Sequence, residues 1–151
     1  MSMKQAVFQL NGEEYGLDIR NVNTVEKDVN IKKSSNLPTN VLGTINLRGN
    51  DIPVYSLRRK FGFEDKVQDE ETRYLITAVQ GIYIALEVDN VAGIIDLEDS
   101  DIFDVPPVIK DQDTSYIKSI SNVGDRLILL LDSNFLLNNE EINTLQKKEN
   151  K

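Results

Sequence analysis

The sequence predicts an all-β fold of two related small barrels with a few short helices, and three observations carry that prediction. Apolar and polar residues alternate in short runs, the period-two signature of half-buried strands. The runs are joined by turn sequences, among them Asn11-Gly12, Gln80-Gly81 and the segments around Gly49 and Gly124, at which the chain reverses into hairpins. Finally, the pattern occurs twice. Asn11-Gly12-Glu13-Glu14-Tyr15-Gly16-Leu17-Asp18-Ile19-Arg20-Asn21-Val22 is echoed 69 residues later by Gln80-Gly81-Ile82-Tyr83-Ile84-Ala85-Leu86-Glu87-Val88-Asp89-Asn90-Val91, and the hairpin around Gly49 is echoed around Gly124, 75 residues on. Turn glycines and alternating aliphatics recur in any all-β chain, so the echo alone leaves a chance likeness of hairpins open.

In chain order, residues 4–10 and 13–18 read as the first hairpin, turned at Asn11-Gly12, where both positions tolerate φ > 0. Asp18 then caps a helix of one or two turns, with Ile19, Val22 and Val25 at helical spacing and therefore on one face. Spacing leaves open whether that face fills the core or lines a groove. The alternation of Val29 and Ile31 predicts a short strand over residues 29–33, and Pro38 a single helical turn before Gly43. A second hairpin has Ile45 and Leu47 on one arm and Ile52 and Val54 on the other, reversed at Gly49-Asn50-Asp51. Pro53 has no N–H for a ladder, so its strand should lie at an edge or have that position turned away from its neighbour. Ser56 caps a short helix carrying Leu57 and Phe61, with Gly62 as its left-handed stop.

Residues 64–71 are polar and mostly acidic and read as a surface connection. Residues 73–79 and 82–88 form the next hairpin, 97–113 an acidic stretch interrupted by Pro106-Pro107, and Asp132 caps a short helix after the hairpin at Gly124. A last helix starts at Asn138 or Asn139, with Glu140 and Glu141 in its first turn and Lys147 and Lys148 in its last, charges that suit its dipole. Ile142 and Leu145 give it a thin apolar stripe, which predicts loose packing and fraying.

Composition narrows the function. The chain has 151 residues, no Cys and no His, which removes thiolate nucleophiles, disulfides, imidazole metal ligands and the Ser-His-Asp and Cys-His arrangements. A net charge of −8 opposes binding to phosphate backbones and anionic lipid. No apolar run is long enough to span a membrane, and the N-terminus lacks the basic-then-apolar pattern of a signal peptide, so a cytoplasmic location is expected. Asp96-Leu97-Glu98-Asp99-Ser100-Asp101 fails as a calcium loop, because Asp101 stands where the sharp turn needs Gly and no Glu closes the loop at its twelfth position. A carboxylate pair drawn from the 25 acids is the remaining catalytic option, though nothing pairs two of them, and no phosphate loop or nucleophile elbow is present. The expectation is therefore a binding role with no catalytic residues, metal or cofactor.

The run Gly43-Thr44-Ile45-Asn46-Leu47-Arg48-Gly49, then Ile52-Pro53-Val54 and Leu57-Arg58, resembles the signature of the CheW family of bacterial chemotaxis coupling proteins. Glu14-Tyr15-Gly16-Leu17-Asp18-Ile19 with Val22, the run Val88-Asp89-Asn90-Val91, and Gly124-Asp125-Arg126-Leu127-Ile128-Leu129-Leu130-Leu131-Asp132 extend the resemblance over about residues 4–137. The resemblance implies two intertwined five-stranded SH3-like β-barrels with a groove between them. Subdomain 1 would span about 13–85, subdomain 2 about 4–12 with 86–137, and 138–151 would be a C-terminal helix and tail. It also implies a scaffold that joins the cytoplasmic tip of methyl-accepting chemoreceptors to the regulatory domain of the chemotaxis histidine kinase, in arrays at the inner membrane face.

By position, Arg48 corresponds to the arginine tied to receptor coupling, and Val22 and Gly43 to positions tied to partner binding, with Ile19 and Val25 sharing the face of Val22. Thr24 stands where the family often has Glu, and Ser56 where Asp is usual. An adaptor serving a sensor kinase outside chemotaxis is the alternative. A fused receiver domain is not expected, because too few residues follow Leu137.

Overall fold

The computed structural model describes residues 3–105 and 116–149, the side chains of 147–149 excepted. Pro106-Pro107 and the acids up to Asp113, with the side chains of Lys147 and Lys148, lie outside the described residues. The chain builds one sheet inside the sequence span of the other. β1 (Met3–Leu10) and β2 (Glu13–Asp18) begin the outer sheet; β3 (Val22–Glu26), β4 (Val41–Leu47), β5 (Asn50–Ser56), β6 (Arg73–Val79) and β7 (Ile82–Val88) make the inner one. β8 (Asn90–Leu97), β9 (Ile102–Asp104), β10 (Ile117–Val123) and β11 (Arg126–Leu131) then return to the outer sheet. The strand orders are β3-β6-β7-β5-β4 (barrel 1) and β8-β1-β2-β11-β10-β9 (barrel 2). Sheet membership thus divides the chain after Asp18 and after Val88, since β2 pairs with β1 and β7 runs on past Ala85.

The two sheets repeat one another in register as well as in order. A bulge at Asn23 puts Val22 opposite Thr77 and Thr24 opposite Ile76; 69 residues on, a bulge at Ala92 puts Val91 opposite Phe8 and Gly93 opposite Val7. Val41 and Gly43 flank a second bulge opposite Tyr55 and Val54, and Ile117 and Ser119 repeat it opposite Leu131 and Leu130. The parallel pairs correspond too, Val54 with Ala85 in barrel 1 and Leu130 with Gly16 in barrel 2. The structural offset of the second pair of hairpins is therefore 76, one more than the spacing of the two turn glycines. β9 is a sixth strand beyond the five expected. Its counterpart in barrel 1 is the segment predicted as a strand over 29–33, which is reduced to one bridge between Lys32 and Thr44.

Side-chain alternation on these matched strands fills three cores. Ile45, Ile52, Val54, Tyr74, Ile76 and Ala85 fill barrel 1; Val7, Leu97, Ile128 and Leu130 fill barrel 2. The third and largest cluster takes Phe8, Tyr15, Leu17 and Leu131 from one sheet and Tyr55, Leu75 and Leu86 from the other, with Leu57 from the short helix that follows β5. That shared core, rather than a linker, fixes one barrel against the other.

Several local expectations are corrected. The reversal expected at Gly49-Asn50-Asp51 lies one residue earlier, at Arg48 (φ 53°) and Gly49 (φ 88°), with Leu47 and Asn50 as the flanking pair. Two consecutive positive φ values make this a type I′ turn. Pro53 sits in an inner strand, opposite Thr44. In a two-residue hairpin that rung is a non-hydrogen-bonded one, and the ladder to β7 starts only at Val54, so no donor is missed.

Pro38 opens a single turn, closed by the Val41 N–H donating to the Pro38 carbonyl at 3.0 Å, and no helix. Ser56 caps α1 (Leu57–Lys60), accepting from the Arg59 N–H at 3.2 Å, and Gly62 leaves it at φ 84°. The C-terminal helix α2 (Asn139–Glu149) does not pack loosely. Ile142 and Leu145 are buried in the shared core, and Asn138 and Glu141 exchange N–H bonds at 2.7 and 3.0 Å in a capping box. The buried Glu141 carboxylate accepts from the Tyr55 hydroxyl at 3.0 Å and from Asn40 Nδ2 at 3.3 Å. A stripe of two residues suffices because the adjoining hydrogen-bonded carboxylate of Glu141 is buried with them.

Candidate protein-binding site

The segment expected to be a helix is a 3-10 turn over Ile19–Asn21 followed by strand β3. Asp18 caps it, accepting from the Arg20 N–H at 2.9 Å, and forms an ion pair with the Arg20 guanidinium at 2.7 Å. That guanidinium holds the Asp18 carboxyl below its ordinary range. The β-branched Val22, Thr24 and Val25 favour the strand, and β6 offers them a ladder. In a regular strand Val22 and Val25 would point to opposite faces. The bulge at Asn23 restores one face to both: Val22 opposes Thr77 and packs on the shared core, and Val25 opposes Leu75 of that core.

Val25 remains 45% exposed, on the outer strand of the sheet. Ile19 is half-buried in the turn that precedes β3. Thr24 opposes Ile76 and so faces into barrel 1, where its Oγ1 is buried without a hydrogen-bond partner among the described residues. It does not share the surface of Val22 and Val25.

Gly43 is buried in β4. A Cβ there would lie 2.5 Å from the Lys32 carbonyl oxygen and 2.8 Å from Ile31 Cγ2, so the close approach of residues 31–32 requires glycine. Arg48 is exposed in the turn that follows β4, and among the described residues its guanidinium makes no hydrogen bond or ion pair. Asn46 holds the turn from below: its Oδ1 accepts from the Gly49 N–H at 3.3 Å, and its Nδ2 donates to Asp51 at 3.2 Å. Arg48 therefore projects from a rigid tip in a backbone conformation that costs a non-glycine residue about 1–2 kcal/mol.

A shallow cleft of about 450 Å³ runs beside this strand, lined among others by Glu26, Val29, Thr44, Leu47 and Asp51. The six expected residues do not form one cluster. Val22 and Val25 lie on β3 at one end of the pairing order, Arg48 follows β4 at the other end of that order, and Gly43 and Thr24 face inward.

Charge pairs fix the surroundings. Arg58 on α1 grips Asp89, at the bend between β7 and β8, through Nε to Oδ1 at 2.7 Å and Nη2 to Oδ2 at 2.6 Å. The Asn11 N–H of the first hairpin also donates to Asp89, at 2.9 Å. One carboxylate thus joins both barrels. Burial pushes the Asp89 carboxyl up, but the Arg58 and Asn11 hydrogen bonds outweigh it and hold the group below its ordinary value.

Glu87 behaves oppositely: burial raises it, although the Tyr74 hydroxyl donates to it at 2.8 Å. On barrel 2 Arg126 grips Glu14 at 2.9 and 2.7 Å and lowers its carboxyl. Asp101 accepts from the Glu98 N–H at 3.0 Å, a local cap of the turn over Asp99–Asp101. The Leu57-Arg58 and Val88-Asp89 runs were legible as motifs, but no spacing in the sequence joins residues 31 apart into a clamp.

Twin barrels repeating one register around a shared core define a class of paired SH3-like barrel proteins. The family model for the CheW-like domain matches residues 5–141, and the chain belongs to the CheW family. It is 33% identical to the chemotaxis protein CheW of Bacillus subtilis over 91% of this chain and 88% of that one. It is 29% identical to the chemotaxis protein CheW of Klebsiella aerogenes over 90% of this chain and 82% of that one. Among solved structures, the scaffolding protein TtCheW of Thermoanaerobacter tengcongensis matches with a TM-score of 0.85 at 35% identity, covering 93% of this chain and 96% of that one.

Proposed function

We propose that the protein is a non-catalytic coupling scaffold that holds the cytoplasmic tip of chemoreceptors against the regulatory domain of the chemotaxis histidine kinase, at receptor arrays on the inner membrane face. The observation that supports this reading is that the expected contact residues fall into two groups on different elements of one body with a shared core. Arg48 stands on a held turn after β4, and Val22 and Val25 lie on β3, with Ile19 in the turn before it. A bridge between two proteins needs two such places.

The Arg48 tip takes the receptor, whose tip is a helical hairpin able to offer a carboxylate. The β3 edge takes the kinase domain through its aliphatic face. Transmission is then a coupling of binding free energies of about 1–3 kcal/mol. Among the described residues no helix is long and apolar enough to cross a membrane, so association with the array runs through the receptor.

Co-sedimentation with a receptor tip fragment and, separately, with the kinase regulatory domain tests both arms. Arg48→Glu should lose the receptor and keep the kinase domain. Val25→Asp should do the reverse. Arg48→Glu should keep its stability within about 0.5 kcal/mol, as an exposed position does, and Val25→Asp should cost about 1 kcal/mol, the strand preference of Val over Asp. Equal binding by both variants to both partners would refute the assignment.

A further inference from the structure

The repeated register allows each corner of barrel 1 to be compared with its counterpart in barrel 2. In barrel 2 the turns Asn11-Gly12 and Gly124-Asp125 precede the parallel strands β2 and β11 and lie at one end of the sheet. There Arg126 and Glu14 staple the two strands with a bidentate ion pair at 2.9 and 2.7 Å. In barrel 1 the turns Gln80-Gly81 and Arg48-Gly49 precede the parallel strands β7 and β5 in the same way. The residues equivalent to Glu14 and Arg126 are Tyr83 and Asn50. The staple is absent from this corner among the described residues. Tyr83 is 48% exposed there, and its hydroxyl makes no hydrogen bond among the described residues.

The turn residue differs in the same sense. Gly124 takes the first turn position in barrel 2 with φ 60°, where glycine carries no penalty; Arg48 takes it in barrel 1 with φ 53°. Barrel 1 therefore has an unpaired cation and an exposed aromatic ring at the end where barrel 2 has a closed ion pair and a glycine. In a chain of net charge −8, an isolated guanidinium on a rigid tip selects a carboxylate, and an exposed tyrosine ring at the same end of the sheet offers apolar area at low entropic cost.

We infer that Tyr83 is a second contact for the receptor helix: its ring packs an aliphatic side chain of the helix whose carboxylate pairs with Arg48. The inference rests on the receptor assignment of Arg48 above. It adds a specificity-determining residue on a different strand, so that the helix is read by charge and by apolar contact at once.

Binding of the full-length protein to a chemoreceptor cytoplasmic tip fragment tests it, with thermal melting as the check on folding. Tyr83→Ala should weaken binding about tenfold, the size of a typical anchor residue, and Tyr83→Phe should bind like the wild type because the ring rather than the hydroxyl makes the contact. The double variant Asn50→Arg/Tyr83→Glu installs the barrel 2 staple and should lose binding with an unchanged or raised melting temperature. Leu127→Ala, an exposed apolar residue of barrel 2, should have no effect. If Tyr83→Ala binds like the wild type while Arg48→Glu does not, Tyr83 is no contact and the Arg48 assignment stands. If both bind like the wild type, that assignment falls as well. Loss of kinase-domain binding by Tyr83→Ala, with receptor binding intact, would also overturn the inference.

Discussion

Barrel 1 and barrel 2 share strand order, parallel pair and both bulges, yet they differ wherever a side chain has been freed from holding the barrel together. Barrel 2 closes its turn end with Arg126 and Glu14, whereas barrel 1 presents Arg48 and Tyr83. At position 43 barrel 1 needs glycine because residues 31–32 press on it, whereas its counterpart Ser119 faces β9 across a regular ladder. At position 55 barrel 1 has a tyrosine bonded to Glu141, and barrel 2 has Leu131. The lesson is that one backbone register tolerates opposite surface solutions, because the ladder is set by main-chain bonds and apolar alternation while turn ends and edges are set by side chains.

The largest effect should come from the junction between the barrels. Asp89→Asn leaves Arg58 without its counter-ion where both side chains are about 14% exposed or less, and should cost about 3–4 kcal/mol in urea denaturation. The symmetry-related Arg20, 84% exposed beside Asp18, should show a far smaller loss on replacement by Ala; equal losses would break the comparison. Asp89 titrates lower in the folded state than in the unfolded chain. Its contribution is therefore complete at neutral pH and drains away as pH falls below about 4 toward the folded value. The stability gap between wild type and Asp89→Asn should narrow over that range and not in alkali.

Gly43→Ala should cost about 3 kcal/mol, since the new Cβ collides with backbone rather than a movable side-chain end, while Ser119→Ala should change stability by less than about 1 kcal/mol. Tyr55→Phe should lose about 1–3 kcal/mol by leaving Glu141 buried with fewer donors, measured by thermal melting. Burial and the neighbouring Glu141 both push the Tyr55 phenol far above its ordinary value, so it stays protonated and donating through neutral pH. One last effect has the opposite sign. Arg48→Asn should gain about 1 kcal/mol by relieving the left-handed backbone and lose receptor binding, so a stabilised variant that still binds would remove Arg48 from the interface.

Much of this was legible in the chain. The hairpins at Asn11-Gly12 and Gln80-Gly81, the caps at Ser56 and Asp132 and the 69-residue echo all stand as expected, because turn and capping chemistry is local. The 75-residue spacing of Gly49 and Gly124 misled by one. Glycine takes the second turn position in one hairpin and the first in the other, and either position accepts it. Ile19, Val22 and Val25 imitated a helix because spacings of three fit both a helical face and a strand with a bulge. For the same reason the candidate site was half visible: the residues could be named, but a bulge decides which of them share a face. Thr24 turned inward while Val25 stayed out.

Local runs of residues were enough to read most of the strands and turns, the duplication and the kinship, although β3 passed for a helix and the turn at Arg48-Gly49 was placed one residue late. The folded arrangement was needed to see that α2 docks through Glu141 and Ile142, that Arg58 clamps Asp89, and that Arg48 and Tyr83 stand at the same end of one sheet. Each of these joins residues 31 or more apart in the chain. Burial and hydrogen-bond geometry at such range follow from how strands are ordered and stacked, which periodicity along a single segment does not encode.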